Sequence, residues 1–258
     1  MGLLIDKLKG LTPMDAYDVQ ARFAPIVFAL LPLLLVAIVV VPGLGQMKLA
    51  GGTIAGLALL ALPFVGTRIA RAAGRARQDA LFAAWGGMPS TVMLRYRDTR
   101  LNPQTKQIYR DRLARLGPAF PIPTEAEERA DPAGADIKVA AAVGEVRERA
   151  KRQGIKAVHR ENINFGAARN AYGLKPFGFT LTMVSLALLV VIVALPGGFQ
   201  PTPLELLVAV VIAIIGSAWI FFCTAATVLH HGEAYALALF EAINLVVPEP
   251  GRRRSSAR

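Results

Sequence analysis

Cysteine is almost missing from this chain: Cys223 stands alone among 258 residues. A single thiol closes no intramolecular disulfide and builds no zinc cluster, so neither redox compartment nor structural metal can be read from it. Histidine is scarce as well, with 3 residues. No Gly-x-Ser-x-Gly elbow, no Cys-x-x-Cys and no paired aspartates at metal spacing occur, so nothing supports nucleophilic catalysis, and no cofactor is implied. Acidic residues are outnumbered, 18 against 29 lysines and arginines, for a net charge of +11. The long apolar runs contain almost no charge, which disfavours a transporter with an ionisable site at mid-membrane.

Apolar residues are what is present, at 54% of the chain, and they come in blocks rather than at regular spacing. Two blocks flank a charged middle, the signature of an integral membrane protein. They resolve into four spans: Phe23 to Val41, Leu49 to Val65, Phe177 to Leu195 and Leu204 to Val228. Each is near the roughly 20 residues that cross a bilayer as helix. Continuous runs without alternation argue against barrel strands. Charged residues precede the first span and no small-x-small cleavage site follows it, so that span is expected to be retained.

Basic residues set the orientation. Lys7, Lys9 and Arg22 precede the first span, whereas the turn "PGGFQPTP" has no Lys or Arg. The middle segment and the tail "RRRSSAR" are strongly basic. Basic segments stay cytoplasmic, so both termini and the middle are expected to face the cytoplasm of a bacterial inner membrane. In "TRIARAAGRAR", Arg68, Arg71 and Arg75 share one helix face and can meet anionic lipid heads, while Ile69, Ala73, Ala76 and Ala80 share another.

The expected fold is all-α: four transmembrane helices as two hairpins with a helical cytoplasmic domain between them. An amphipathic segment covers residues 1–22, the first hairpin 23–67, the basic cytoplasmic domain 68–176, the second hairpin 177–228, and a C-terminal helix with basic tail 229–258. "TPMD" at Thr12 starts a helix. The second span continues past Arg68 to about Trp85, where "GG" ends it. Pro89 opens "PSTVMLRYRD", for which a brief strand over "TVMLRY" is the competing assignment. Asn102 caps the next helix, with Leu101, Ile108, Leu113 and Leu116 available for burial. "TEAE" at Thr124 is a capping box. A helix then runs to Gly154, and a last one spans Val158 to Tyr172 with Gly173 past its end. The domain has few large apolar residues, so a free-standing core would be marginal.

Three stretches carry candidate chemistry. In "WGGMPSTVMLRYRDTRLNP", a helix start beside Arg95, Arg97 and Arg100 can hold a phosphate-containing ligand; the competing reading is a tight turn and a solvated charged helix. In "HRENINFGAARNAYGLKP", Asn162, Gly166, Arg169 and Gly173 fall near one face, and Asn170 adds a further amide, which suggests a coupling network between helices or subunits or part of a ligand site; the competing reading is a structural polar network. At the end of the fourth span stand Cys223, Thr224, Thr227, His230, His231 and Glu233: two histidines beside a carboxylate suggest a metal site or a proton-sensitive gate, and the favoured reading is an interfacial cluster at the cytoplasmic membrane edge. Adjacent histidines on a helix point about 100° apart and do not easily share one ion.

Small residues mark helix packing: Gly52 and Gly56 on the second span, and Ala209, Ala213 and Ser217 on the fourth. They suit packing within a subunit or between the subunits of a homo-oligomer. Membrane lipids and a cytoplasmic protein are the other expected partners. Nucleic acid is the weaker class, because the membrane already accounts for most of the basic residues. In layout alone, a compact sensor on a few nearly uncharged helices, the chain is similar to membrane effectors of bacterial anti-phage systems. That likeness implies a pore or leak opened by a sensed ligand. A non-conducting anchor recruiting a soluble partner is the alternative. Arg152 and His159 also resemble the loose Arg-x-His spacing of HEPN RNases, which would make a third, membrane-held RNase class.

Overall fold

The computed structural model describes residues 18–40, 49–194 and 200–247, with side chains throughout except at 18, 38, 40 and 49–64. All regular structure among the described residues is helical. A π-wound segment, Asp18–Phe23, leads into α1 (Ala24–Val40). Then follow α2 (Leu49–Trp85), α3 (Pro89–Val92), α4 (Pro103–Ala114), α5 (Glu125–Ala130), α6 (Pro132–Arg152), α7 (Lys156–Ala194), α8 (Pro203–Phe221) and α9 (Ala225–Val246). The helix start at Thr12, the turns at Pro42 and Pro196, and the basic tail lie outside the described residues.

Among the described residues, three stretches are long and apolar enough to cross a membrane: Val19–Ala37, the apolar part of α7, and α8. Their outward faces are apolar too, with Leu34, Val190, Leu207 and Ile214 each about half exposed or more. Water would penalise such a surface and lipid would not.

Two compact units divide the chain. The span unit comprises the residues up to Gln78 together with Gly166–Val228. The second unit comprises Asp79–Phe165 and the residues from Leu229 onward. Helices α2 and α7 each belong to both, so the span unit reaches about three turns past the hydropathy edges at 67 and 177.

Within the span unit, Ile26 and Ala29 of α1, Ala70 of α2, Leu174 of α7, and Ile215 and Trp219 of α8 form one buried cluster. A second joins Val36, Leu189, Val193, Val208 and Ile212. Gly178 lies against the Trp219 indole, where a side chain would overlap the ring. Phe28 meets the same indole at 4.9 Å between ring centres.

Several boundaries differ from expectation. The apolar block expected to run as one span from Leu204 to Val228 does not: α8 ends at Phe221, and Thr224 begins a new helix by accepting the N–H of Thr227 at 3.1 Å. Nor does a helix stop at Gly173. α7 passes straight through it and through Pro176, because Gly173 is there for close approach rather than termination. Proline inside a membrane helix is tolerated when neighbours take up the freed carbonyl. "TVMLRY" forms no strand; a single turn of helix, α3, opens on Pro89. On α2 the buried face is Gly66, Ala70 and Gly74, while Ile69 is half exposed and Ala76 and Ala80 face out.

The second unit has more core than its middle segment supplies, because α9 contributes Tyr235, Leu239, Phe240 and Ile243. Phe240 meets Tyr109 of α4 at 5.3 Å, and Tyr235 stacks on Phe165 of α7 at 6.3 Å. Ends are sealed as the sequence suggests. Gly86 at φ 76° and Gly87 at φ 139° close α2, and Gly154 at φ 64° closes α6. Asn102 caps α4 and Thr124 forms its capping box with Glu127.

Candidate coupling site at the helix crossing

Helices α2 and α7, each with residues in the two units, carry small residues along the faces that meet. On α2 these are Gly66, Ala70 and Gly74; on α7, Gly166, Asn170 and Gly178 fall on a similar period. Where the helices cross, a side chain on Gly173 would overlap the Ala73 carbonyl and the Gly74 nitrogen. A side chain on Gly74 would overlap Asn170. The obstacle at Gly173 is backbone, which has no rotamer to move into, so only glycine fits.

Asn170 sits in this contact with no solvent exposure. Its Nδ2 donates to the Ala21 carbonyl at 2.6 Å, inside the π-wound segment. Wider π winding displaces carbonyls from their α-helical partners, and a buried amide is a suitable donor for one of them. Arg169 donates through one terminal nitrogen to Gln78 Oε1 at 2.6 Å and through the other toward Asn170 Oδ1 at 3.4 Å. One node thus ties three elements: the lead-in to α1 through Ala21, α2 through Gly74 and Gln78, and α7 through Arg169, Asn170 and Gly173. Further along, Lys175 donates to the Ile220 carbonyl at 3.2 Å and so caps the end of α8.

Of the residues grouped with Arg169 by sequence, Asn162 lies in the second unit, partly buried. Its neighbours Glu161 and Asn164 hydrogen-bond each other at 3.1 Å.

The second unit contains its own polar core. Arg95 donates to both oxygens of Asp136, at 2.8 and 2.5 Å, and to the Gly86 carbonyl at 2.6 Å. Lys106 and Arg110, one turn apart on α4, are both buried. Lys106 donates to the carbonyls of Arg95, at 2.6 Å, and Asp98. Arg110 donates to those of Leu94, at 2.5 Å, and Pro123, while its guanidinium lies 4.0 Å from the centre of the Tyr96 ring. Glu128 accepts the Tyr96 N–H at 3.0 Å and lies 3.9 Å from Arg110. Burial holds the Lys106 ammonium below its usual pKa, against the pull of Asp98 and Glu128. Arg100 bridges Asp98 at 2.7 Å and Glu233 of α9 at 2.9 Å. For Asp98, burial works to raise the pKa, but the bonds from Arg100 outweigh it and the carboxyl titrates below its usual range.

In the stretch considered for phosphate, therefore, Arg95 and Arg100 are held by carboxylates, and Arg97 is exposed. The cluster that ends the fourth span is distributed. Thr224 and Thr227 form a helix cap, Glu233 pairs with Arg100, and His231 lies partly buried beside His230, 5.5 Å between ring centres. Burial and then His230 depress the His231 pKa, partly offset by Glu161. Among the described residues, no three His, Cys, Asp or Glu side chains are grouped to hold a metal. Arg152 and His159 are both exposed, and Arg152 reaches Glu145 at 3.5 Å. Arg68, Arg71 and Arg75 are exposed on α2. Ala213 and Ser217 face outward and Ala209 is partly buried, while within the chain α8 packs through Val208, Ile212, Ile215 and Gly216. The side chains at Gly52 and Gly56 lie outside the described residues.

Sequence reasoning missed Gly74, Gln78, Lys106, Arg110, Glu128 and Asp136. The spacing-four run through Gly66, Ala70 and Gly74 was a usable signal for the first. The placement of Lys106, Arg110 and Leu113 on one face of α4 was a signal for the buried cations. No family model matches the chain, and no curated protein or solved structure is significantly similar to it.

Proposed function

We propose that the chain is a four-span effector of the bacterial inner membrane. In this reading its second unit receives a ligand or protein partner and its spans respond by opening a leak. The span added to the three apolar helices is the start of α2, residues 49–65, which is helical and as free of charge as the others. The observation that carries the reading is the α2–α7 crossing. Two helices of 37 and 39 residues run unbroken from apolar to polar sequence and touch backbone to backbone at Gly74 and Gly173. Rigid, closely packed helices transmit a displacement along their length instead of absorbing it. A buried amide pinning the lead-in to α1 adds a third element to whatever moves.

Induced expression with a potential-sensitive dye tests this. The potential should collapse with the intact chain, and collapse less with Arg169→Ala at equal accumulation in the membrane. A potential that stays intact, with or without a soluble partner, would instead favour the non-conducting anchor. That alternative has its own support in the closed apolar packing of one copy, where Ile212 and Trp219 have no exposed surface.

A further inference from the structure

One helix of the second unit shows an apolar face with nothing on it. α6 packs inward through Val139, Ala142, Val143 and Val146. On the opposite side Ala133, Ile137, Ala140 and Ala141 are exposed in a row that continues to Gly144, whose Cβ position opens on empty space. Ile137 is 72% exposed, matched among the described large apolar side chains only by Phe221 and Phe222, which stand at the end of the apolar helix α8. A row of small residues with one bulky member at helical spacing forms a surface into which a like surface can interlock.

The charge at the two ends of the row states which partner fits. Asp131 and Glu127 stand at its start, and Arg147, Lys151 and Arg152 at its end, all exposed; Glu127 pairs with Lys138, Arg147 with Glu148 and Arg152 with Glu145 in the same chain, which leaves Asp131 and Lys151 as the charges of the two ends without an ion pair among the described residues. Two such helices laid parallel would bring acid to acid and base to base. Laid antiparallel, each acidic end meets a basic end and the helix dipoles oppose. We propose that α6 is an isologous contact between two copies of this chain, antiparallel, with Ile137 of each copy seated over Gly144 of the other and Ala140 at the two-fold axis. An isologous contact needs only one self-complementary patch, which this row supplies. The contact does not depend on whether the spans conduct.

Disulfide trapping in native membranes, on the full chain with Cys223→Ser, decides it. Ala140→Cys should give a covalent dimer on mild oxidation, while Ala133→Cys, far from the axis, should give little. Adding Ile137→Asp to Ala140→Cys should abolish the dimer without reducing the amount of inserted protein, since Ile137 contributes little to the core of its own copy. No dimer from Ala140→Cys would overturn the proposal. Equal trapping at Ala133 and Ala140 would overturn it as well, because that pattern belongs to parallel helices. A dimer that survives Ile137→Asp would show that something other than this face brings the copies together.

Discussion

Gly173 and Arg169 are four residues apart on one helix, yet they answer to different physics. Gly173 is required by space: its hydrogen lies against the Ala73 carbonyl, and a methyl there must push two backbones apart. Overpacking of this kind costs typically 1–3 kcal/mol, here near or above the upper end because backbone cannot rotate away. Gly173→Ala should therefore lower the thermal midpoint of the detergent-extracted protein. An unchanged midpoint would mean that the helices do not touch there. Arg169, by contrast, is only partly buried, and its bond to Gln78 is one charged hydrogen bond, worth at most about 1.5–3 kcal/mol. Its loss should leave insertion intact and remove output. Arg169→Lys should restore little, since a single ammonium cannot span Gln78 and Asn170 as a planar fork does. Arg169→Ala protein with full output would defeat the coupling role. If that variant merely fails to accumulate, the node is structural.

At the scale of elements, α9 illustrates how a helix can be legible in type and missed in role. Its apolar pattern identifies it as a helix, but burial of Tyr235, Leu239, Phe240 and Ile243 depends on partners far earlier in the chain, such as Tyr109 against Phe240, which periodicity does not name. α4 shows the converse: Leu101 and Leu113 are buried as expected, while Ile108 is 42% exposed and Lys106 and Arg110 occupy the interior. Hydrophobic patterning expects cations outside, and it fails where carbonyls left over from an irregular turn need donors. The α9–α7 contact also makes a pH prediction. His231 has its folded pKa depressed below 6.5 by burial and by His230, with Glu161 opposing. The unfolded chain thus binds the proton more readily than the folded one. Stability from this group is full above about pH 6.5 and is lost as pH falls through the lower folded pKa. The thermal midpoint should decline as pH falls below about 6.5. His231→Gln, which cannot titrate, should flatten part of that decline; an identical slope in the variant would assign the effect elsewhere.

For the molecule as a whole, apolar blocks and glycine stops reveal the helices, because both are local signals. The joining of spans to the polar unit through α2 and α7 is harder to see, since Gly173 looks like a helix end when read without the backbone it touches. Orientation is the remaining global property, and it rests on charge distribution. Arg68, Arg71 and Arg75 are all exposed on α2 just past its apolar stretch, and the segment between α2 and α7 is basic. Basic residues flanking spans are retained on the cytoplasmic side, and each one near an anionic leaflet is worth about 1 kcal/mol. Arg97 is exposed and lies in that segment, so Arg97→Cys in a Cys223→Ser background provides a probe that leaves the folded core alone. An impermeant maleimide should label it only after the inner membrane is opened. A reporter fused after Arg258 should read cytoplasmic in the same cells. Replacing Arg68, Arg71 and Arg75 together by Gln should raise the labelled fraction in intact cells, because the asymmetry that holds the segment inside is reduced. Labelling of Arg97→Cys in intact cells without those replacements would place the second unit outside, and any partner or ligand would then have to be sought there.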